Sequence, residues 1–435
     1  MKALPAALLT SILAFIPSTQ AAGELRDSIA TDYDENLAQL FLHFHQNPEL
    51  SNFEFETAKR LAEEIAALGY EVTMGVGGTG IVAVMRNGPG PTVMIRADMD
   101  GLPIAEDSGL AYASKATQVG VGGIEFPVMH GCGHDVHITA LVGTARQMAA
   151  RRDRWSGTLI LIGQPAEERI SGARSMLDDG LYERFPKPDY ALAFHVSAGL
   201  ESGKVEIPLD VVASSSDSVD IIVHGIGAHG ASPHKGVDPV LVASQIVVTL
   251  QSVVSRSISP LESGVITVGA IHGGTKHNII GSRVEMQLTV RSDNPEVRNE
   301  LLDGTDRVAE GVGRSFGLPD ELLPEVHRSR VETTPPTIND TATAERVLTA
   351  VSSEMGEEFI TLSPRDGMGA EDFAYFVQPG LGVKGVYFAV GGTPKDEVDD
   401  APSHHSPFFK VESEPSIKSG VEATVISAIT LMPAN

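Results

Sequence analysis

Positive charge is scarce in this chain, with 32 Lys and Arg against 57 Asp and Glu in 435 residues and a formal charge of −25. Gripping a phosphate backbone takes clustered cations, and the one short basic run, Arg151, Arg152 and Arg154, reads as a solvated helix end. The shortage argues against a nucleic-acid partner and for solubility. Cysteine is rarer still. Cys132 stands alone, so no intramolecular disulfide can form and stability must come from a packed core. Aromatic residues make up 5% and charged residues 20%, while 42% are hydrophobic, a globular composition rather than the charged profile of a disordered chain.

The N-terminus carries an address. Lys2 precedes an apolar run from Ala3 to Ile16, followed by Pro17, Ser18 and a small-residue exit at Thr19-Gln20-Ala21-Ala22, the three-part pattern of a cleaved signal peptide. The run is short for a bilayer span, no cysteine follows it for lipidation, and no later segment stays apolar for the ~18 residues a span needs. The expectation is a signal peptide over residues 1–22 and a secreted or periplasmic protein with no membrane partner after cleavage. A lone thiol in an oxidising compartment is a liability unless something occupies it.

After the leader the chain alternates helix and strand. Helical spacing marks Leu37 to Phe44, Thr57 to Leu68 and the stripe Ile138, Leu141, Val142, Ala145, Met148, and short apolar runs mark strands at Gly80 to Met85, Thr92 to Asp98, Thr158 to Ile162 and Tyr190 to Phe194. From Ser214 the texture changes to a β-α-β-β-α series: Val219 to Val223, Pro239 to Val254, Val265 to Ile271, Val284 to Val290 and Pro295 to Phe316. A helix (Thr341 to Met355) and a strand (Val386 to Val390) then resume the first pattern. The expected division is a discontinuous α/β domain over 23–213 and 329–435 with an inserted α+β unit at 214–328.

Four stretches could carry chemistry. In His130-Gly131-Cys132-Gly133-His134-Asp135-Val136-His137, a thiol and an imidazole two residues apart in extended backbone face one side, which suits a metal ion. A Gly-rich turn around a buried thiol and a Cys–His nucleophile are the alternatives. In Gln164-Pro165-Ala166-Glu167-Glu168, two carboxylates follow a buried strand, at the end where α/β sheets bind ligands. One could hold a metal while its neighbour takes a proton from water. Phe194-His195-Val196 ends another strand with an imidazole, and His404-His405 sit in a late loop.

The set RADMDGLP (from Arg96), MHGCGHDVH, QPAEE, FHV, GAHGASPH (from Gly227), GAEDFAYF (from Gly369) and HSPFF (from His405) resembles the metal-dependent amidohydrolase branch of the aminoacylase and carboxypeptidase G metallopeptidase family. That branch includes hippurate hydrolases, plant IAA-amino acid hydrolases and N-acetyl-diaminopimelate deacetylases. The motifs occur in family order across nearly the whole mature chain. The resemblance implies an α/β mixed-sheet di-metal peptidase domain of the phosphorylase/hydrolase-like type, with the inserted segment as a ferredoxin-like lid and dimerisation domain.

It further implies two divalent ions, zinc, manganese, cobalt or nickel, held by Cys132, His134, Glu168, His195 and His405. Glu167 takes the place of the general base, Asp98 that of an aspartate orienting a ligand from below, and His229 that of a lid histidine polarising the scissile carbonyl, often from the partner subunit. Asn278 matches a lid asparagine, and Arg291 is the candidate for a substrate carboxylate. Gly281 stands where the family commonly has proline, and Gly101 where alanine often follows RADMD. The implied activity is cleavage of N-acyl amino acids or similar small amides by an exported homodimer. A carboxypeptidase or dipeptidase would use the same chemistry, and a silent metal-binding or ligand-binding protein is the reading from outside the enzymes.

Overall fold

The computed structural model describes residues 18–365 and 367–434. Most of the expected leader lies outside these residues, and its end, Ser18 to Ala22, opens the helix Ser18–Asp32.

The larger sheet has eight strands in the spatial order Glu71–Val76, Gly80–Asn87, Gly157–Gln164, Thr92–Asp98, Tyr190–Glu201, Lys384–Thr393, Val205–Glu206 and Ile360–Thr361. The middle four run parallel, and antiparallel pairs flank them. Strands buried on both faces read as continuous apolar runs, and alternate residues here feed two cores. Leu159, Leu161, Val93, Ile95 and Leu192 face the core shared with helices His134–Ala150 and Ser413–Leu431. Ile160, Ile162, Met94 and Ala191 face Phe373 and Phe376 on the other side. Helical layers on both faces leave the carboxyl ends of the parallel strands as the open crevice.

The second sheet is antiparallel throughout, ordered Gly264–Gly273, Arg283–Ser292, Ser216–His224, Glu325–Thr334. Two helices cover one face, burying Val242, Ile246, Leu250, Leu301 and Leu302 against Val219, Ile221, Met286 and Leu288. Each helix begins in the same way, with proline at the first position and a preceding cap: Asp238 accepts from the Val240 N–H, and Asn294 from those of Glu296 and Val297. The fold class expected from the sequence, an α/β body with an α+β unit, is the one observed. One sequence reading needs correction. Pro239–Ser257 has 19 residues and a mean hydropathy of 1.3, long and apolar enough to cross a membrane. Ser244, Gln245, Thr249 and Gln251 interrupt the run in sequence, and its buried residues pack on the sheet.

The strand expected to stop at Phe194 runs on to Glu201. Its neighbour Thr92–Asp98 ceases to pair with it at Ala193, so from His195 onward one edge of the strand opens into the crevice.

Candidate metal centre

The donors converge from four pieces of chain at the ends of the parallel strands. Cys132 and His134 stand at the turn into helix His134–Ala150, which Gly133 enters at φ 86°. That left-handed conformation favours glycine, and a Cβ there would lie 2.3 Å from Val196 Cγ1. Glu167 and Glu168 occupy a short turn flanked by Ala166 at φ 48° and Ile170 at φ 52°. His405 has φ 64°. Non-glycine residues held in this region store strain, which concentrates at functional sites.

Hydrogen bonds fix the histidine tautomers, because a backbone carbonyl only accepts and a backbone amide only donates. His134 Nδ1–H donates to the Asp100 carbonyl at 2.7 Å, leaving Nε2 as the free lone pair. His195 Nδ1–H donates to the Val196 carbonyl at 2.7 Å, and its Nε2 lies 3.4 Å from Cys132 Sγ. His137 is used at both nitrogens: Nδ1–H donates to Asp98 Oδ1 at 2.6 Å, and Nε2 accepts from the Val196 N–H at 2.9 Å. It orients the site and has no lone pair to offer a metal.

Asp100 ties the turn that bears Glu167 and Glu168 to the histidine. Its carboxylate accepts from the amides of Glu167 and Glu168, each at 3.1 Å, and from the Ser51 hydroxyl at 2.6 Å. Asp98 lies beneath, with Oδ2 at 3.6 Å from His134 Nε2. The carboxylate nearest His134 Nδ1 is Asp100, at 3.3 Å. Asp100 belongs to the RADMD motif, but spacing alone does not distinguish it from Asp98.

Two buried atoms at the centre have no hydrogen-bond partner: His134 Nε2 and Glu168 Oε1, 3.9 Å apart. Cys132, His134 and Glu168 bring their donor atoms within 4.8 Å of one another, as do Cys132, His195 and His404. Burial and the carboxylates of Glu168 and Glu167 push the Cys132 thiol well above its ordinary value. Burial alone would lower His134, but Asp98 and Asp100 raise it to about 10. Unpartnered donor atoms, a thiol and surplus carboxylates gathered in one buried pocket call for positive charge to offset them. Sulfur, imidazole and carboxylate donors fit a borderline divalent metal.

The two adjacent late histidines differ. His405 Nε2 lies 3.3 Å from Glu168 Oε2. His404 packs on the other side, with Nδ1 3.6 Å from Cys132 Sγ and Nε2 accepting from the Ala198 N–H at 3.1 Å. Burial and His195 hold it well below the usual imidazole value. Glu167 is 6% exposed, and burial together with Glu371 and Glu168 pushes its carboxyl well above the ordinary range. Below it lies a charged network that the sequence reading did not assign. Arg96, fully buried, donates to Asp98 at 2.6 Å, Glu371 at 2.7 Å, Asp372 at 3.3 Å and Gln164 at 2.8 Å.

A cavity of about 630 Å³ contains Cys132, Glu167, Glu168, His195, His405 and Arg291. Arg291 is half-buried, and the hydrogen bond it makes is to the Met368 carbonyl at 2.7 Å. His229 and Asn278 do not line this cavity. They sit together in the second unit, where His229 pairs with Ile279 and the Gly230 amide donates to the Asn278 carbonyl at 2.9 Å. His229 Nδ1 accepts from the Ala231 N–H at 2.9 Å, so a neutral ring carries its proton on Nε2.

Residues 94–426 match the profile of peptidase family M20/M25/M40. The chain belongs to this family. It is 34% identical to thermostable carboxypeptidase 2 of Saccharolobus solfataricus over 402 residues, 92% of this chain and 96% of that one. It is also 34% identical to hippurate hydrolase of Campylobacter jejuni over 335 residues, 77% and 83% of the two chains. A solved Bacillus subtilis structure, described as a dinuclear metal-binding peptidase of the M20 family, superposes with a TM-score of 0.76 at 25% identity, covering 94% of this chain and 100% of that one. Membership in M20/M25/M40 places this chain among metal-dependent hydrolases of amide bonds.

Proposed function

We propose that the protein is exported and cleaves the amide bond of N-acyl amino acids or similar small amides, using a site for two divalent ions formed by Cys132, His134, Glu168, His195 and His405. The observation that carries the reading is the buried Glu167 carboxyl beside the orphaned His134 and Glu168 donors, in the same cavity as the Arg291 guanidinium. Zinc, manganese, cobalt and nickel all suit the donors. Bound ions supply positive charge that acidifies a nucleophilic water and polarises the scissile carbonyl.

The chain's own groups do the rest. Glu167 takes a proton from the attacking water, aided by the low-dielectric surroundings that raise its basicity. The proton then rests on its carboxyl until the leaving amine receives it. Arg291 receives the free carboxylate of the amino-acid half in a bidentate grip. A neighbouring cleft of about 900 Å³ shares Ser197, Val212, Tyr387 and Ala389 with the catalytic cavity, giving room for a bulky acyl group.

His229 Nε2–H is a donor for the carbonyl oxygen, a role whose loss typically costs ~3 kcal/mol of barrier stabilisation. Its absence from the lining of its own chain's cavity favours action in trans, with Asn278 beside it. A homodimer through residues 214–328 is supported by a surface in that unit where Leu241 is 56% exposed and Val248 67%. The carboxypeptidase reading is the second choice, favoured by the likeness to the Saccharolobus enzyme. The chemistry is the same and the acyl half would be a peptide.

The deciding experiment measures bound metal by elemental mass spectrometry, together with hydrolysis of N-acetyl, N-benzoyl and N-indoleacetyl amino acids and C-terminal dipeptides, with and without chelator. About two ions per chain and chelator-sensitive turnover are expected, and Glu167→Gln should keep its metal while losing roughly 10²–10⁴ in rate. Full loading without turnover of any amide would overturn the enzymatic reading in favour of a silent binding protein.

A further inference from the structure

We propose that His404 is a positioning residue for the Cys132 sulfur: its Nδ1–H donates to the thiolate and sets how firmly that thiolate holds a metal ion. The inference rests on the reading of Cys132 as a ligand and adds to it a residue that no motif of the chain assigns.

The tautomer follows from the backbone. The Ala198 amide can only donate, and it donates to His404 Nε2 at 3.1 Å. That nitrogen therefore presents its lone pair, and a neutral ring must carry its proton on Nδ1. Nδ1 lies 3.6 Å from Cys132 Sγ, within reach of an N–H···S bond to a large, diffuse acceptor. Turning the ring over would leave the Ala198 N–H without its acceptor. Phe409 holds the plane, with ring centroids 4.7 Å apart.

His404 thereby differs in kind from the histidines around it. His134 and His195 each commit Nδ1–H to a backbone carbonyl and turn a free Nε2 inward. His404 commits its lone pair to the strand Tyr190–Glu201 and turns a donor inward. A donor next to a buried thiolate stabilises its negative charge and fixes its orientation, and groups in this position commonly alter metal affinity 10–100-fold. The arrangement also resolves the ambiguity of two consecutive histidines. His405 faces Glu168 across the site, whereas His404 serves the sulfur.

The test uses the full-length protein loaded with Co(II), reading the near-ultraviolet thiolate-to-cobalt charge-transfer band, and cobalt affinity by competition with a chromophoric chelator. His404→Phe keeps the ring against Phe409 and removes both nitrogens, whereas His404→Asn restores an N–H donor close to the position of Nδ1. The expected result is a band moved to lower energy and affinity reduced about 10–100-fold in His404→Phe, with both returned towards the parent in His404→Asn. An unchanged band and affinity in His404→Phe, with the band abolished in Cys132→Ser, would overturn the inference and leave Cys132 as a ligand. A parent protein without any such band would instead remove Cys132 from the ligand set. Loss of a whole equivalent of cobalt in both His404 variants would make His404 a ligand and overturn the inference as well.

Discussion

Arg96 enters the interior as a full guanidinium and meets Asp98, Glu371 and Asp372 there, with no side-chain exposure of its own. Burial pushes the Asp372 carboxyl up to about 8, against the pull of Arg96, so the network is short of positive charge even with its arginine. Taking away one partner of a buried ion cluster leaves uncompensated charge and typically costs 3–5 kcal/mol. Arg96→Met is expected to lose about that much stability in urea unfolding, in metal-loaded and metal-free protein alike. A loss confined to the metal-loaded form would show that Arg96 acts through the ions rather than through the carboxylates. At this scale the sequence was legible only as residue types. Cys132, His134, Glu167, Glu168 and His195 stand in strings whose composition announces ligand chemistry. Asp100 and His137 stand in the same strings, but their roles depend on which nitrogen carries a proton and which carbonyl lies opposite, and no spacing rule encodes that. Arg96 and Glu371 are 275 positions apart and become neighbours only through the sheet.

Among the elements, the turn into helix His134–Ala150 carries the heaviest constraint. Gly133 needs a left-handed backbone and has Val196 pressed against it, so Gly133→Ala must shift either the helix start or the strand that bears His195. The expected cost is about 1–3 kcal/mol, with cobalt affinity falling in parallel because the Cys132 and His195 donors move apart. A variant that binds cobalt as the parent does would show that the turn is more yielding than its contacts indicate. Strands with apolar runs and helices with a one-sided stripe were readable, as at Thr92–Asp98 and Thr341–Met355. The helix Ser413–Leu431 was not. It is buried on most sides through small residues, with Gly420 against the Phe194 ring and Thr424 and Ser427 bonding to their own helix. A helix packed in this way has no polar face and therefore no stripe to find.

For the whole molecule, the proposed homodimer turns on the inserted unit. Val240, Leu241 and Val248 lie exposed on one helix, and Ile271 lies on the strand that forms the sheet's edge, a combination that invites a second copy. Leu241→Glu with Val248→Glu is expected to give monomers in light scattering and to abolish activity without loss of metal. Mixing His229→Ala with Glu167→Gln protein should restore part of the activity in hybrid dimers. Full activity in a proven monomer would place His229 in its own chain's site. The sequence disclosed this unit through its change of texture at Ser214, but the exposure of Leu241 and Val248 on its helix follows from how that helix packs on the sheet, which spacing alone does not give.

Strand Lys384–Thr393 lies along Tyr190–Glu201, although the chain traverses the entire second sheet between them. A polypeptide growing from its N-terminus therefore acquires the thiol, both glutamates and two of the imidazoles early. It cannot seat them until the strand that flanks His195 arrives, with His404 and His405 just behind it. Such distant pairings are slow to form. On the proposed ligand set, only an almost finished translation product can bring all the donors together, and a prematurely terminated one leaves the Cys132 sulfur without its neighbours.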